Sequence, residues 1–306
     1  MKEIIPRVDR ELLEKELLKC RFVKKTNLGE NKIYIFTYQD SPILMRELGR
    51  LREITFREAG GGTGKELDID KFDTSEKPFK QLIVWDPREK EIIGGYRYML
   101  GRDLPKDENN NVYSPTSKLF NFSKKFIDEY LPYSIELGRS FVQPLYQSLF
   151  DLRKSLFSLD NLWNGLGSII VDNPEAKYFF GKITMYTHTN IYVRNLILYF
   201  LKKYFPDNEN LIRPFKPIDF VIPTKELEEI FSGKSYKENY KILNQKVRSY
   251  KENIPPLVNA YMNLSSTMRT FGTAVNYSFG EVEETGILIT IDDIFEEKKK
   301  RHVFIK

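Results

Sequence analysis

The sequence is poor in the residues on which secreted domains, metalloenzymes and membrane proteins depend. Cys20 is the one cysteine in 306 residues, so an intramolecular disulfide and a thiolate metal cluster are both excluded. The two histidines, His188 and His302, stand far apart and have no Asp, Glu or Cys at ligand spacing, so no metal is expected. Nowhere do 18 uncharged apolar residues run together, and the N-terminal MKEIIPRVDRELLEKELLKC is charged throughout, without an apolar segment of signal-peptide length. A cytoplasmic location is the expectation. Neither sign of charge dominates: 48 Lys and Arg against 43 Asp and Glu leave a net charge of +5, short of the dense positive face of a nucleic-acid binder. The mild basic bias suits an acidic carrier protein or peripheral contact with an anionic membrane as well as it suits RNA, and composition does not choose among them, although no nucleic-acid partner is expected. Internal repeats and low-complexity tracts are absent as well.

What is present suffices for a sizeable core, with 41% hydrophobic and 14% aromatic residues. Periodicity predicts a helix over 43–59 stopped by Gly60, Gly61 and Gly62, and adjacent strands over 81–86 and 91–100 joined by a turn. It then predicts a helix over 122–131, a strand over 135–143, a helix over about 149–171, a strand over 178–186 and a helix over 191–205. That order describes an α/β fold with a mixed central sheet flanked by helices. Residues 1–205 read as one compact domain. The proline-bearing stretch 206–222 reads as a strap into a C-terminal extension, 206–306, packed on that domain. Helices over 224–231, 236–250 and 256–268 and strands in GTAVNYSFG and TGILITIDDI are expected there.

Three motifs invite a chemical reading. GGGTGKE resembles a phosphate loop, but a Walker A pattern ending at Lys65 needs Gly at 59 and Ser or Thr at 66, where Ala59 and Glu66 stand. ELDIDKFD sets Glu66, Asp68, Asp70 and Asp73 within eight residues, and as a strand it would put the first three on one face, able to hold a cation or a set of arginines. Arg52, Arg97 and Arg139 lie on predicted elements, and buried arginines need such partners. ELGRSFV interrupts a strand with Gly138, a residue that in strands marks a bulge or a close approach of another chain; a bulge there redirects Arg139.

Taken in order, Leu51-Arg52 with Phe56, then Asp68, Asp70 and Asp73, then Gly95-Tyr96-Arg97, then Glu136-Leu137-Gly138-Arg139 resemble the ornithine-lipid and glycine-lipid N-acyltransferases. These are GNAT-type enzymes, often labelled hemolysin-like, and the acyl-homoserine-lactone synthases resemble the chain more distantly. The resemblance covers roughly residues 45–205 and implies a GNAT-like fold. It also implies transfer of a long-chain, often 3-hydroxylated, acyl group from acyl carrier protein to the amine of a small amino acid such as glycine or ornithine. No free cofactor is implied, the donor being a phosphopantetheine thioester or an acyl-CoA. Enzymes of this superfamily that use CoA usually follow the corresponding strand with a glycine loop for pyrophosphate; here Gln143 is followed by PLYQSLFD, which favours the carrier protein. Glu136 is the candidate base, and Arg139 with the backbone at Ser140 and Phe141 completes the candidate catalytic set. Arg52, Asp68, Asp70, Asp73 and Arg97 are the candidate acceptor-binding frame, and Tyr146 is a candidate proton donor to the leaving thiolate. Three other readings stand beside this one: an acyl-homoserine-lactone-like synthase, a CoA-dependent N-acetyltransferase, and a carrier-protein binding module without turnover.

Overall fold

A computed structural model describes residues 1–27, 29–147 and 152–302. Its centre is an eight-stranded sheet in the order β1-β2-β3-β4-β6-β7-β10-β9. The strands are β1 (Arg21–Lys25), β2 (Lys32–Phe36), β3 (Lys80–Asp86), β4 (Glu91–Leu100), β6 (Ser134–Val142), β7 (Tyr178–Met185), β9 (Arg269–Asn276) and β10 (Val282–Thr290). Six of the neighbouring pairs are antiparallel, and β6 with β7 is the one parallel pair. The mixed sheet expected from the sequence is therefore present. Its last two strands come from the chain beyond 206, and β10 pairs with β7 along its whole length. Two short strands, β5 (Phe120–Phe122) and β8 (Ile212–Pro214), pair separately.

Helices cover both faces of the sheet. On one face lie α1 (Arg10–Leu17), α2 (Pro42–Glu58) and α3 (Lys71–Thr74). In α2, Pro42 occupies the first turn, where its missing N–H is no loss. Leu44, Met45, Leu48, Leu51, Arg52, Thr55 and Phe56 recur at three- and four-residue spacing and are buried. The apolar members pack with Ile83 and Trp85 of β3. Arg52 sits on that buried stripe and is 1% exposed, so its charge requires partners inside the protein. On the opposite face lie α4 (Leu152–Asp172), α5 (Ile191–Tyr204), α6 (Thr224–Ile230), α7 (Tyr236–Ser249), α8 (Pro256–Met262) and α9 (Glu296–His302). Leu162 and Leu166 of α4 join Leu82 and Val84 of β3 and Tyr96 and Tyr98 of β4 in the main core. Gly165 of α4 allows a close approach to the sheet, since a Cβ there would lie 2.5 Å from Leu82 Cδ2.

The glycine loop after α2 is tied down from within. The Glu53 carboxylate accepts hydrogen bonds from Thr63 N at 3.0 Å, Thr63 Oγ at 2.7 Å and Gly64 N at 2.8 Å. Amides that a phosphate would need are already committed to a carboxylate.

Several expected elements differ. The helix expected over 122–131 begins later, because Phe122 belongs to β5 and Ser123 Oγ accepts from Phe126 N; a π-helical turn, Phe126–Tyr130, follows. The start of the helix expected from 149 lies outside the described residues. The helix expected over 256–268 ends at Met262, where Asn263 donates its side chain back to Asn259 O at 2.8 Å and Ser265 forms a bridge with Ile294. The acidic segment is not a strand: Asp70 caps α3 in a capping box with Asp73, and the exposed Glu66 lies 3.8 Å from Lys2.

Candidate active site

The parallel ladder of β6 with β7 runs only from Ser134↔Tyr178 to Leu137↔Gly181, although both strands continue. Beyond that point the strands diverge, and β6 from Gly138 to Val142 has no ladder partner on its β7 side. Against β4 the same stretch carries a bulge, for Gly95 pairs with Phe141 and Arg97 with Gly138, leaving Tyr96 opposite two residues. The left-handed residue is Arg139, with φ +51°, and not Gly138. The glycine therefore announced the bulge one position early.

A cavity of about 580 Å³ occupies this gap. Phe56 of α2 lines it from one face of the sheet, while Leu162 of α4 and the turn at Pro255, Pro256 and Leu257 line it from the other. Arg97, Leu137, Gly138, Arg139, Ser140, Phe141, Lys182, Thr184 and Glu284 line it between the strands. Parting two strands inside a sheet is the sequence feature's physical outcome: it opens a passage where pairing would otherwise close it.

One wall is the ion-pair frame. Asp68 Oδ2 lies 2.9 Å from Arg52 Nε and 2.7 Å from Arg139 Nε. Asp73 reaches Arg52 Nη2 at 3.3 Å and Arg97 Nη1 at 3.2 Å, and Asp70 Oδ1 lies 2.9 Å from Arg97 Nη1. Gln81 Nε2 donates to Asp73 Oδ1 at 3.0 Å. The Arg139 guanidinium also lies 4.1 Å from the centre of the Phe279 ring. Burial alone would raise the Asp68 carboxyl, but the Arg139 and Arg52 charges hold it below the usual carboxylate range. Burial likewise works against the Arg52 charge, and Asp68 and Asp73 more than offset it. The three arginines and three aspartates named from the sequence thus meet in one network, and Asp68, Asp70 and Asp73 are each taken by arginine.

Glu136 sits behind the cavity wall. Its Oε1 accepts from Thr116 N at 2.9 Å, and Thr116 lines the cavity. Burial pushes the Glu136 carboxyl up, against the lowering influence of Thr116, Ser114 and Lys182. Glu136 Oε2, Thr116 Oγ, Arg97 Nε, Asp68 Oδ1 and Tyr96 Oη are all buried without a hydrogen-bond partner among the described residues. Thr116 and Arg97 line the cavity, so part of this unused polar capacity lies at its wall.

Tyr146 lines the cavity, but its hydroxyl donates to Asp86 Oδ2 at 2.9 Å, and burial pushes the phenol up. After β6 the chain makes a 3-10 turn over Pro144–Tyr146, and residues 148–151, where a pyrophosphate loop would continue, lie outside the described residues. Sequence reasoning missed Lys182, Thr184 and Glu284. Lys182 and Thr184 sit in KYFFGKITM as ordinary strand residues, and only the parting of β6 from β7 brings them to the gap.

Comparison with known proteins identifies the family. Residues 51–152 match the family described as Acetyltransferase (GNAT) domain, a span that includes the second half of α2 and all of β3, β4 and β6. The chain is 54% identical over 308 residues to a glycine N(alpha)-acyltransferase of Phocaeicola vulgatus, covering all of this chain and 94% of that protein. It is 56% identical over 303 residues to a glycine N(alpha)-acyltransferase of Bacteroides thetaiotaomicron, covering 99% of this chain and 90% of that protein. No solved structure matches. With strands that part around an ion-lined cavity and relatives alike along almost their whole length, the chain belongs to the same family as these proteins and is an N-acyltransferase built on the GNAT fold.

Proposed function

We propose that this enzyme transfers a long-chain acyl group from the phosphopantetheine thioester of acyl carrier protein to the amine of glycine, in the synthesis of an aminolipid. The observation that carries the reading is the cavity between β6 and β7, lined from both faces of the sheet, which would let donor and acceptor meet from opposite sides. Its volume of about 580 Å³ is ordinary for a small-molecule site. Both relatives are named as glycine N(alpha)-acyltransferases, which supports glycine as acceptor. PLYQ, in place of a glycine loop, and the apolar wall made by Leu162 and Leu257 favour a carrier-borne chain. On this reading the start of α8, at 255–257 within the extension 206–306, serves the donor side, since it walls the cavity there.

In the reaction, the glycine ammonium loses one proton to the base, its nitrogen attacks the thioester carbonyl carbon, and the C–S bond breaks as the nitrogen sheds a second proton and the thiolate is protonated. Glu136, with its raised carboxyl, is the base, reached through a water beside Thr116, whose amide holds Glu136 Oε1. The edge of β6 beyond Gly138, which has no β7 partner, is the proposed oxyanion site, with the amide at Ser140; Phe141 pairs with Gly95 of β4. Arg97 and Arg139, held by Asp68, Asp70 and Asp73, form the rigid positive wall beside it. The basic face of α7, with Lys237, Lys241 and Arg248, is the part proposed to rest on an anionic membrane; no helix among the described residues is long and apolar enough to cross one.

The test is an assay of purified enzyme with acyl carrier protein bearing a long acyl chain, glycine, and product detection by mass spectrometry. N-acylglycine is the expected product. Faster turnover of acetyl-CoA than of the acyl carrier protein would overturn the donor assignment, and acyl-lactone formation would overturn the reaction.

A further inference from the structure

Beside the arginine frame, the cavity holds a second pair of opposite charges that the proposed reaction has not used. Lys182 follows Gly181, the last residue of the parallel ladder, so its side chain stands where β7 leaves β6. Glu284 is on β10, opposite Thr184. Lys182 Nζ lies 2.7 Å from Glu284 Oε2 and donates to Pro115 O at 2.9 Å. Asn276 Nδ2 donates to the same Glu284 Oε2 at 2.9 Å. Both side chains are largely buried yet line the cavity.

The hydrogen-bond capacity of this pair is only partly filled. An ammonium has three donors, and Lys182 uses two of them among the described residues. Both contacts to Glu284 fall on Oε2, which leaves Oε1 for a donor from the cavity. The arginines differ: Arg97 and Arg139 face aspartates within the frame, which fix them as wall. A buried ion pair that faces a cavity with one donor and one acceptor left over matches a small molecule carrying both charges on groups joined through one carbon.

We propose that Lys182 and Glu284 form the clamp for the acceptor zwitterion, with Lys182 holding its carboxylate and Glu284 Oε1 holding its ammonium at the gap between β6 and β7. This rests on the reading of the enzyme as a glycine acyltransferase and says which charges select glycine. The clamp places the nitrogen beside the unpaired edge of β6 at Gly138 and Ser140, where the thioester carbonyl is proposed to lie. Lys182 thus sits between two carboxyls of different duty, Glu284 in the cavity and Glu136 behind its wall.

The test compares glycine with glycinamide, which keeps the amine but lacks the carboxylate, using the full-length enzyme and a fixed long-chain acyl carrier protein donor. Wild type is expected to favour glycine over glycinamide in kcat/KM by at least about tenfold, the worth of one charge-assisted hydrogen bond. Lys182→Met is expected to raise KM for glycine by at least about tenfold, to leave KM for the donor unchanged and to erase the preference; Lys182→Arg restores part of it. Glu284→Gln is expected to raise KM for both acceptors. Wild type that uses the two acceptors equally overturns the clamp, as does Lys182→Met with a glycine KM within about threefold of wild type. An equal loss of both acceptors in a folded Lys182→Met also overturns it. If that variant does not fold, the wild-type comparison decides. Should wild type acylate neither amine, the acyl-transfer reading itself fails; a wild type that acylates glycine without preferring it sinks the clamp alone.

Discussion

Arg139 reaches Asp68 from a left-handed backbone, its Nε 2.7 Å from Asp68 Oδ2 and its own φ at +51°. A side chain with a Cβ adopts that backbone only at a cost of about 1–2 kcal/mol, so the ion pair and the bulge are coupled. Replacing Arg139 by glycine removes the pair and relieves the backbone, whereas alanine removes the pair and keeps the strain. Urea unfolding is expected to find Arg139→Gly more stable than Arg139→Ala by about 1 kcal/mol, with acyl transfer severely reduced in both. Equal stabilities would show that the bulge stores no strain.

Arg52 lies between Asp68 and Asp73, both fully buried. Arg52→Met leaves two carboxylates without that cation, a change expected to lower stability by about 3–5 kcal/mol in chemical denaturation. Removal of charge together, as in Arg52→Met with Asp68→Asn, is expected to recover part of that loss.

Opposite pH responses are expected from the two kinds of acid. The folded-state values of Asp68 and Asp73 lie below their unfolded values, so their stabilisation is present above the unfolded value of about 4 and is lost as pH falls further. Glu136 is shifted upward by burial, so its contribution is present below the unfolded value and is lost as pH rises through the folded one. Glu136→Gln is therefore expected to gain stability relative to wild type between pH 5 and pH 8 while losing acyl transfer, measured by denaturant titration and by turnover. Asp73→Asn is expected to lose stability at both pH values.

Gly181 ends the parallel ladder so closely that a Cβ would lie 2.4 Å from Leu137 O. Gly181→Ala forces β6 and β7 apart one step too early. Expected results are a loss of about 1–3 kcal/mol in thermal or urea unfolding and a fall in kcat at saturating glycine, since the oxyanion edge of β6 moves with the strand.

Much of this was legible in the sequence wherever elements are long and periodic. The buried stripe of α2 and the strands over 81–86, 91–100 and 178–186 follow from spacing alone, because packing against one sheet imposes it. The first three elements were not read: α1 has eight residues, and β1, RFVKK, is an edge strand whose half-exposed surface admits charge. Arg52, Arg97 and Arg139 were legible as partners of the aspartates because buried guanidinium groups need acids. Lys182 and Glu284 were not, since nothing local distinguishes a lysine aimed into a cavity from one aimed at water.

The cavity reaches both faces of the sheet through a gap between two neighbouring strands. On the proposed arrangement the product has its polar head on one side and its acyl tail on the other, like a thread through an eyelet. It leaves lengthwise, drawing the head back between β6 and β7. The eyelet then selects the acceptor a second time, at departure: an amino acid with a bulky side chain would be joined to the chain and held there as a plug.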